Sequence, residues 1–174
     1  MEYTFTLKYQ LSEHDRDTDA IIERLGAAGC DDALLGVGVV GRIAMEFTRE
    51  AGSAQEALVS ALADVKAAIP SAKLIEAAPD LVGLTDVAEM IGTSRQNVRK
   101  LMVNHDTSFP APVHEGSAVV WHLADVLAWL KTRGTYNIAS GLAEVAEMAR
   151  QINLAKAAPL LRPALQREVQ ALVA

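Results

Sequence analysis

The chain has 174 residues, of which 51% are hydrophobic and 5% aromatic, and its formal net charge is -6. A chain of this size and composition can bury one sizeable core or two small ones, which excludes extensive disorder. The opening residues MEYTFTLKYQ lack the basic and apolar regions of a secretion signal, and no stretch approaches the ~18 uninterrupted apolar residues of a membrane helix. We therefore expect a soluble, cytoplasmic protein with no membrane partner.

The charge is divided unevenly along the chain. Residues 1–79 contain seven Lys/Arg and thirteen Asp/Glu, residues 80–134 five and six, and residues 135–174 four and three. Because DNA responds to the local field within roughly a Debye length, the acidic total leaves room for a basic patch in the middle of the chain. The single cysteine, Cys30, cannot form an internal disulfide, and we expect it to pack as a small apolar residue.

The first 79 residues predict an acidic α+β domain. Strict alternation in YTFTLKYQ indicates a strand, and a helix over residues 17–28 follows it. Residues 33–40 and 42–48 look like paired strands, Ser53 starts a capping-box helix that Pro70 ends, and AKLIEA is a last strand. By element order, this domain resembles the ferredoxin-like split-βαβ plan, which says little about activity.

Two patterns in this region mimic ligand sites. Gly36, Gly38 and Gly41 spell the G-x-G-x-x-G of dinucleotide-binding folds, but a strand pattern follows them instead of a helix, which favours hairpin glycines. The acidic cluster at residues 13–19 lacks the glycine and final glutamate of a calcium loop. The four histidines also lack clustered ligand spacing. We therefore expect no cofactor and no metal ion.

The stretch TDVAEMIGTSRQNVRKLM, residues 85–102, predicts two short helices joined by a tight turn. Thr85 and Ser94 stand at N-cap positions, and Gly92 ends the first helix. So short a connection requires two helices that cross steeply, as in a helix-turn-helix.

The second of these helices has a polar face of the composition that reads DNA. At about 100° per residue, Val98, Leu101 and Met102 converge on the inner side, so the polar residues point outward. Arginine matches guanine, glutamine matches adenine, and lysine neutralises phosphate. A solvated amphipathic helix is the alternative interpretation. The candidate DNA-contacting residues of this region are Thr93, Ser94, Arg95, Gln96, Asn97, Arg99 and Lys100.

The following residues favour the DNA-binding interpretation. FPAPVHEGSAVVW predicts a small β-hairpin, and a helix closed by Gly134 comes after it. In this order, LTDVAEMIGTSRQNVRKLM, FPAPV and VVWHLADVLAWL resemble the winged helix-turn-helix of excisionase and MerR-type DNA-binding proteins over residues 81–133. The resemblance implies that the helix from Ser94 enters the major groove and that Trp121 lies in the core. It also implies that the wing, with His114 and Ser117, lies along the DNA backbone or minor groove.

The departures from that resemblance suggest two copies. His122, Leu123 and Ala124 stand where such proteins often have basic residues and a capping serine, which removes an N-cap and phosphate contacts. Residues 138–152 and 165–172 carry apolar stripes, with Pro159 and Pro163 between them. The stripes either cover the chain's own domains or pair with a second chain, and the need for two DNA modules favours a homodimer.

The sequence thus predicts an α+β protein in three parts: an acidic ferredoxin-like domain (1–79), a winged helix-turn-helix (80–134) and C-terminal helices for dimerisation (135–174). The expected function is site-specific binding of double-stranded DNA by a bacterial or phage transcriptional regulator. No catalytic arrangement is visible, so we expect no enzyme. The alternatives are an antitoxin or recombination accessory protein whose acidic N-terminal domain binds a protein partner, and a ligand-sensing regulator.

Overall fold

The structure is a computed structural model that describes residues 1–15, 17–36 and 38–173. These ranges contain seven α-helices and two antiparallel sheets, which confirms the α+β class. Among these helices, none is both long and apolar enough to cross a membrane.

The N-terminal part folds as a four-stranded sheet with two helices. Its elements, in chain order, are β1 (Glu2–Gln10), α1 (Thr18–Ala27), β2 (Ala33–Gly36), β3 (Arg42–Glu50), α2 (Ala54–Ala68) and β4 (Lys73–Ala78). The strand order is β2-β3-β1-β4, and every neighbouring pair is antiparallel. The element order on which the ferredoxin-like comparison rests is therefore confirmed.

Local sequence explains these elements. In β1 the apolar residues alternate and are buried, and the α2 N-cap Ser53 accepts a hydrogen bond from the Glu56 backbone N–H at 3.1 Å. The hairpin after β2 differs from expectation. The predicted strand over 33–40 ends at Gly36, residue 37 lies outside the described ranges, and the Arg42 N–H donates to the Val39 carbonyl in a turn. Gly41 completes that turn at φ +78°, which confirms a hairpin role for this glycine.

A buried arginine of the N-terminal part forms ion pairs with two carboxylates. Arg49 is buried and forms ion pairs with Asp32 at 2.6 Å and Asp64 at 2.8 Å. The guanidinium donates hydrogen bonds to Asp32, which has the larger effect, and to Asp64, and these bonds raise the pKa of Arg49. Burial disfavours the charged form and partly offsets this rise. This network joins β3, α2 and the loop before β2. Cys30 lies close by and is buried, as expected.

The middle part combines a helix pair with a small sheet. Its elements are β5 (Leu81–Val82), α3 (Leu84–Met90), α4 (Arg95–Asn104), β6 (His114–Glu115), β7 (Val119–His122) and α5 (Leu123–Arg133), and the sheet order is β5-β7-β6. The sequence did not predict β5. Thr85 as the cap of α3 is also wrong. The helix begins one residue before it, and the N-cap is Gly83, whose N–H donates to the Asp86 carboxylate at 2.7 Å.

A long helix, α6 (Leu142–Ala157), packs against both parts. Two hydrophobic clusters form, one around the four-stranded sheet and one around α3, α4 and α5. Val145 and Ala149 belong to the first cluster and Ala146 to the second. The first predicted C-terminal stripe therefore covers the chain's own cores, which is one of the two alternatives that the sequence leaves open.

The last helix has no such cover. After a 3₁₀ turn over Ala158–Leu160, α7 runs over Pro163–Val173, with the predicted proline at its start. Every residue of α7 is exposed, including Leu165, Val169 and Leu172 of the second predicted stripe. This stripe is the C-terminal feature that stays available to a second chain.

Candidate nucleic-acid interface

Helix α4 is held by its apolar side. Ser94 is its N-cap, and the Ser94 hydroxyl accepts a hydrogen bond from the Asn97 backbone N–H at 3.2 Å. Val98 is fully buried, while Leu101 and Met102 are half-buried against the same cluster. The orientation predicted from the helical period is therefore confirmed, and the opposite side of α4 faces solvent.

The outward side of α4 carries several positively charged side chains. Arg95, Gln96 and Arg99 are exposed and together line a shallow open cleft, and Lys100 is exposed beside them. Within residues 1–15, 17–36 and 38–173, no carboxylate forms an ion pair with Arg95, Arg99 or Lys100. Among the described residues, these three cations thus have no ion-pair partner, in a chain that is acidic overall. They can bind an anionic partner without first breaking an ion pair.

The β-hairpin predicted for the wing is present as β6 and β7, and its role as a wing stays a prediction. His114 pairs with Val120 and Glu115 with Val119, and the turn between the strands contains Ser117. His114, Glu115 and Ser117 are all exposed. A carboxylate at this tip repels phosphate, so Glu115 weakens any contact that the wing makes with a DNA backbone.

An aromatic cluster fixes the wing and α5 on the helix pair. Trp121 is buried, as predicted, and its indole N–H donates to the Pro110 carbonyl at 3.0 Å. Phe109 contacts Trp121 and Trp129 edge-on, with ring centroids 6.1 and 5.0 Å apart. The FPAPV segment therefore places its phenylalanine in the core and uses its first proline carbonyl to hold Trp121.

Residues 80–134 match the family described as Prophage CP4-57 regulatory protein (AlpA). The AlpA match spans α3, α4, the three-stranded sheet and α5, and it covers about a third of the chain. It supports the resemblance to phage-type DNA-binding regulators, but it does not support the narrower assignments to excisionases or to MerR-type proteins. No curated protein and no solved structure significantly matches the chain.

One predicted site residue of the AlpA-matching segment is engaged inside the protein. The Asn97 side-chain amide donates to the Thr93 hydroxyl at 2.9 Å and to the Tyr136 hydroxyl at 3.1 Å. An asparagine that reads adenine needs an amide N–H together with its oxygen. Both amide hydrogens of Asn97 are used in these bonds, so Asn97 can read a base only if one of the bonds is given up. Tyr136 lies beyond the AlpA-matching segment, and the sequence did not point to it.

A second group that the sequence did not predict begins the AlpA-matching segment. Asp80 is buried, and one of its carboxylate oxygens lies 2.6 Å from His122 Nδ1. The other oxygen accepts a hydrogen bond from the Asn153 amide of α6 at 2.8 Å. The α5 N-cap, His122, makes no side-chain capping bond, as the missing serine predicted. Its ring is instead engaged with Asp80.

The far end of the AlpA-matching segment is also held by side chains. The Arg133 guanidinium lies over the Trp129 ring at 4.0 Å from its centroid and within 3.1 Å of His105 Nε2. This arrangement joins the end of α5 to the end of α4. Among the described residues, no group of three or more His, Cys, Asp or Glu side chains is placed to hold a metal ion.

Proposed function

We propose that this protein is a site-specific double-stranded DNA-binding regulator of the phage type, which acts as a dimer through a winged helix-turn-helix at residues 80–134. The observation that carries the proposal is the outward face of α4, where Arg95, Gln96, Arg99 and Lys100 are exposed and the cations have no carboxylate partner among the described residues. The AlpA match over the same segment supports it.

The proposed contacts follow from the chemistry of that face. Arg95 and Arg99 present planar forks that fit guanine O6 and N7 in the major groove, and Gln96 fits adenine. Lys100 and the Ser94 hydroxyl contact phosphates at the edge of the groove. In this arrangement the N-terminal half of α4 enters the groove and α3 crosses the backbone.

The supporting contacts are weaker. His114 and Ser117 of the wing are assigned to the DNA backbone, with Glu115 opposing them. Thr93 is assigned to the edge of the interface, because its hydroxyl already accepts a bond from Asn97. Each phosphate contact that is missing reduces affinity and its dependence on salt, so one module should bind poorly and two should be needed.

We assign dimerisation to α7 and a second copy of this chain. An isolated helix of 11 residues is marginal in water, so the exposed apolar stripe of α7 needs cover. A second copy fits because it also brings the second DNA module, and the two-fold symmetry of a dimer matches inverted half-sites. In the proposed division, residues 1–79 form a ferredoxin-like unit, residues 80–134 bind DNA, and the chain after 134 provides α6 as a brace and α7 as the interface.

The function is tested by first selecting, from random duplex DNA, the fragments that the protein binds. The affinity for one such fragment, the selected duplex, is then compared with the affinity for a scrambled duplex of the same composition at two salt concentrations. We expect tighter binding to the selected duplex at both concentrations, and two inverted half-sites within it. Equal affinity for the two duplexes at moderate salt would contradict the proposal.

The dimer is tested by sedimentation of a variant that carries Leu165→Asp and Val169→Asp. Both side chains lie on the exposed stripe, so the charges should prevent association without disturbing either core. The matched control is Val59→Asp, at an exposed apolar position of α2. We expect wild type and control to sediment as dimers and the α7 variant as a monomer. A dimeric α7 variant would remove this helix from the interface.

A second candidate function is protein binding by the N-terminal part, as in an antitoxin or an accessory protein. Strand β2 is an edge strand, and Leu34 in it and Val39 and Val40 after it are exposed apolar residues. Free sheet edges pair with segments of other chains. A protein that co-purifies with the wild type, and is lost from a Leu34→Lys variant that still binds DNA, would favour this function.

A further inference from the structure

The side chain of Asn97 joins α4 to the turn before this helix and to the segment after α5. Its amide nitrogen donates to Thr93 in the turn before α4 and to Tyr136 in the segment after α5. Tyr136 is half-buried, follows the Gly134 C-cap of α5 by two residues and packs against the second hydrophobic cluster. Asn97 and Tyr136, which lie 39 positions apart in sequence, are therefore joined at the N-terminal end of α4.

That end of the helix is the one on which base reading depends. Arg95 and Gln96 project from the same first turn in which Asn97 lies. A tyrosine has only two side-chain torsions, and the packing of the Tyr136 ring against the second cluster restricts the position of its hydroxyl. A hydrogen bond from Asn97 to such a hydroxyl fixes the rotation and depth of the first turn relative to α5. The Ser94 cap acts along the helix and gives no reference to the rest of the unit.

We propose that Tyr136 is a positioning residue for DNA recognition, which acts through Asn97 to hold the first turn of α4 where Arg95 and Gln96 can reach base edges. This proposal rests on the proposed function. Tyr136 lies outside the residues that match the AlpA family, so the match carries no information about this role.

The proposal predicts a selective defect. Bidentate hydrogen bonds to bases require tight control of distance and angle, whereas attraction between a lysine and a phosphate tolerates small displacements. Loss of the Tyr136 hydroxyl should therefore weaken binding to the selected duplex and leave binding to scrambled DNA nearly unchanged.

The experiment uses the full chain with Tyr136→Phe, Asn97→Ala and the double substitution, titrated against the selected and the scrambled duplex. We expect Tyr136→Phe to lower the ratio of the two affinities by roughly threefold to tenfold, the range of one neutral hydrogen bond. The double variant should lose no more than Asn97→Ala alone, because both changes remove the same bond. Thermal melting shows that each variant is folded.

The matched control is Tyr3→Phe, which removes the tyrosine hydroxyl that donates to Glu144 at 3.2 Å in another part of the molecule. It should leave the affinity ratio unchanged. An unchanged ratio in Tyr136→Phe, an equal loss on both duplexes, or losses that add in the double variant would each overturn the positioning role. A wild type that binds both duplexes equally would refute the proposed function itself, which distinguishes the two failures.

Discussion

Asn153 of α6 gives the sharpest stability prediction. Strand β4 is an edge of the four-stranded sheet, and Ala77 in it is buried. The Asn153 side chain pairs with that edge as a neighbouring strand would: its oxygen accepts from the Ala77 N–H and its amide donates to the Ala77 carbonyl, both at 2.8 Å. The same amide donates to Asp80 at 2.8 Å. Asn153→Ala removes all three bonds.

The expected magnitude follows from those contacts. A typical intramolecular hydrogen bond contributes roughly 0.5–1.5 kcal/mol, so three contribute about 3 kcal/mol. Asn153 is half-buried, so water in the variant can replace part of the lost hydrogen bonding. We therefore expect the free energy of unfolding to fall by about 2–3 kcal/mol. For a domain whose total stability is typically about 5–15 kcal/mol, such a loss is large.

Urea denaturation followed by circular dichroism measures the loss. The matched control is Asn104→Ala, at an exposed residue in the last turn of α4, which should change the free energy of unfolding by less than about 0.5 kcal/mol. A loss below about 1 kcal/mol in Asn153→Ala, or an equal loss in the control, would refute the role of Asn153 in holding α6 on the sheet edge.

Three further predictions concern charge and burial. Arg99→Ala should cost about 1–3 kcal/mol in binding the selected duplex, measured by fluorescence anisotropy, while Arg42→Ala, which removes the same charge from β3, should have little effect. A hydrogen bond from Ser71, with further bonds from neighbouring side chains, lowers the pKa of Asp15 from 3.8 to about 2. Its carboxylate therefore stabilises the fold above pH 3.8 and loses this effect as the pH falls through 2, so Asp15→Asn should melt below wild type at pH 7 and converge with it near pH 2. Burial raises the pKa of the Cys30 thiol to about 11, so Ellman's reagent at pH 8 should react far more slowly with the native protein than with the urea-unfolded chain, and equal rates would contradict its burial.

The elements that the sequence predicted well are those fixed by local pattern. The alternation in β1 and the Ser53 cap of α2 are set within a few residues, and both were found where expected. Strand β5 has two residues, too few to show a period, and it forms because Val82 pairs with Trp121. The N-cap of α3 is Gly83, directly after β5, and not the predicted Thr85, which a capping rule applied to the sequence alone cannot foresee.

The same distinction applies to the candidate site. The helical period was enough to orient the outward face of α4, because Val98 and its neighbours must be buried. Asn97 contacts Tyr136, 39 positions away, and Asp80 contacts Asn153, 73 positions away. A pattern within a few residues cannot predict contacts between residues so far apart in sequence. An apolar stripe also does not specify its partner, so the sequence alone cannot tell that the stripe of α6 packs on its own chain.

The most direct test of the central claim replaces Arg95, Gln96 and Arg99 by alanine together and compares this variant with the wild type on the selected and scrambled duplexes. All three side chains are exposed, so the variant should fold and melt as the wild type does. We predict that the wild type prefers the selected duplex by roughly 10³-fold or more and that the variant binds both duplexes equally. A folded variant that keeps the wild-type preference would show that recognition lies elsewhere in the molecule.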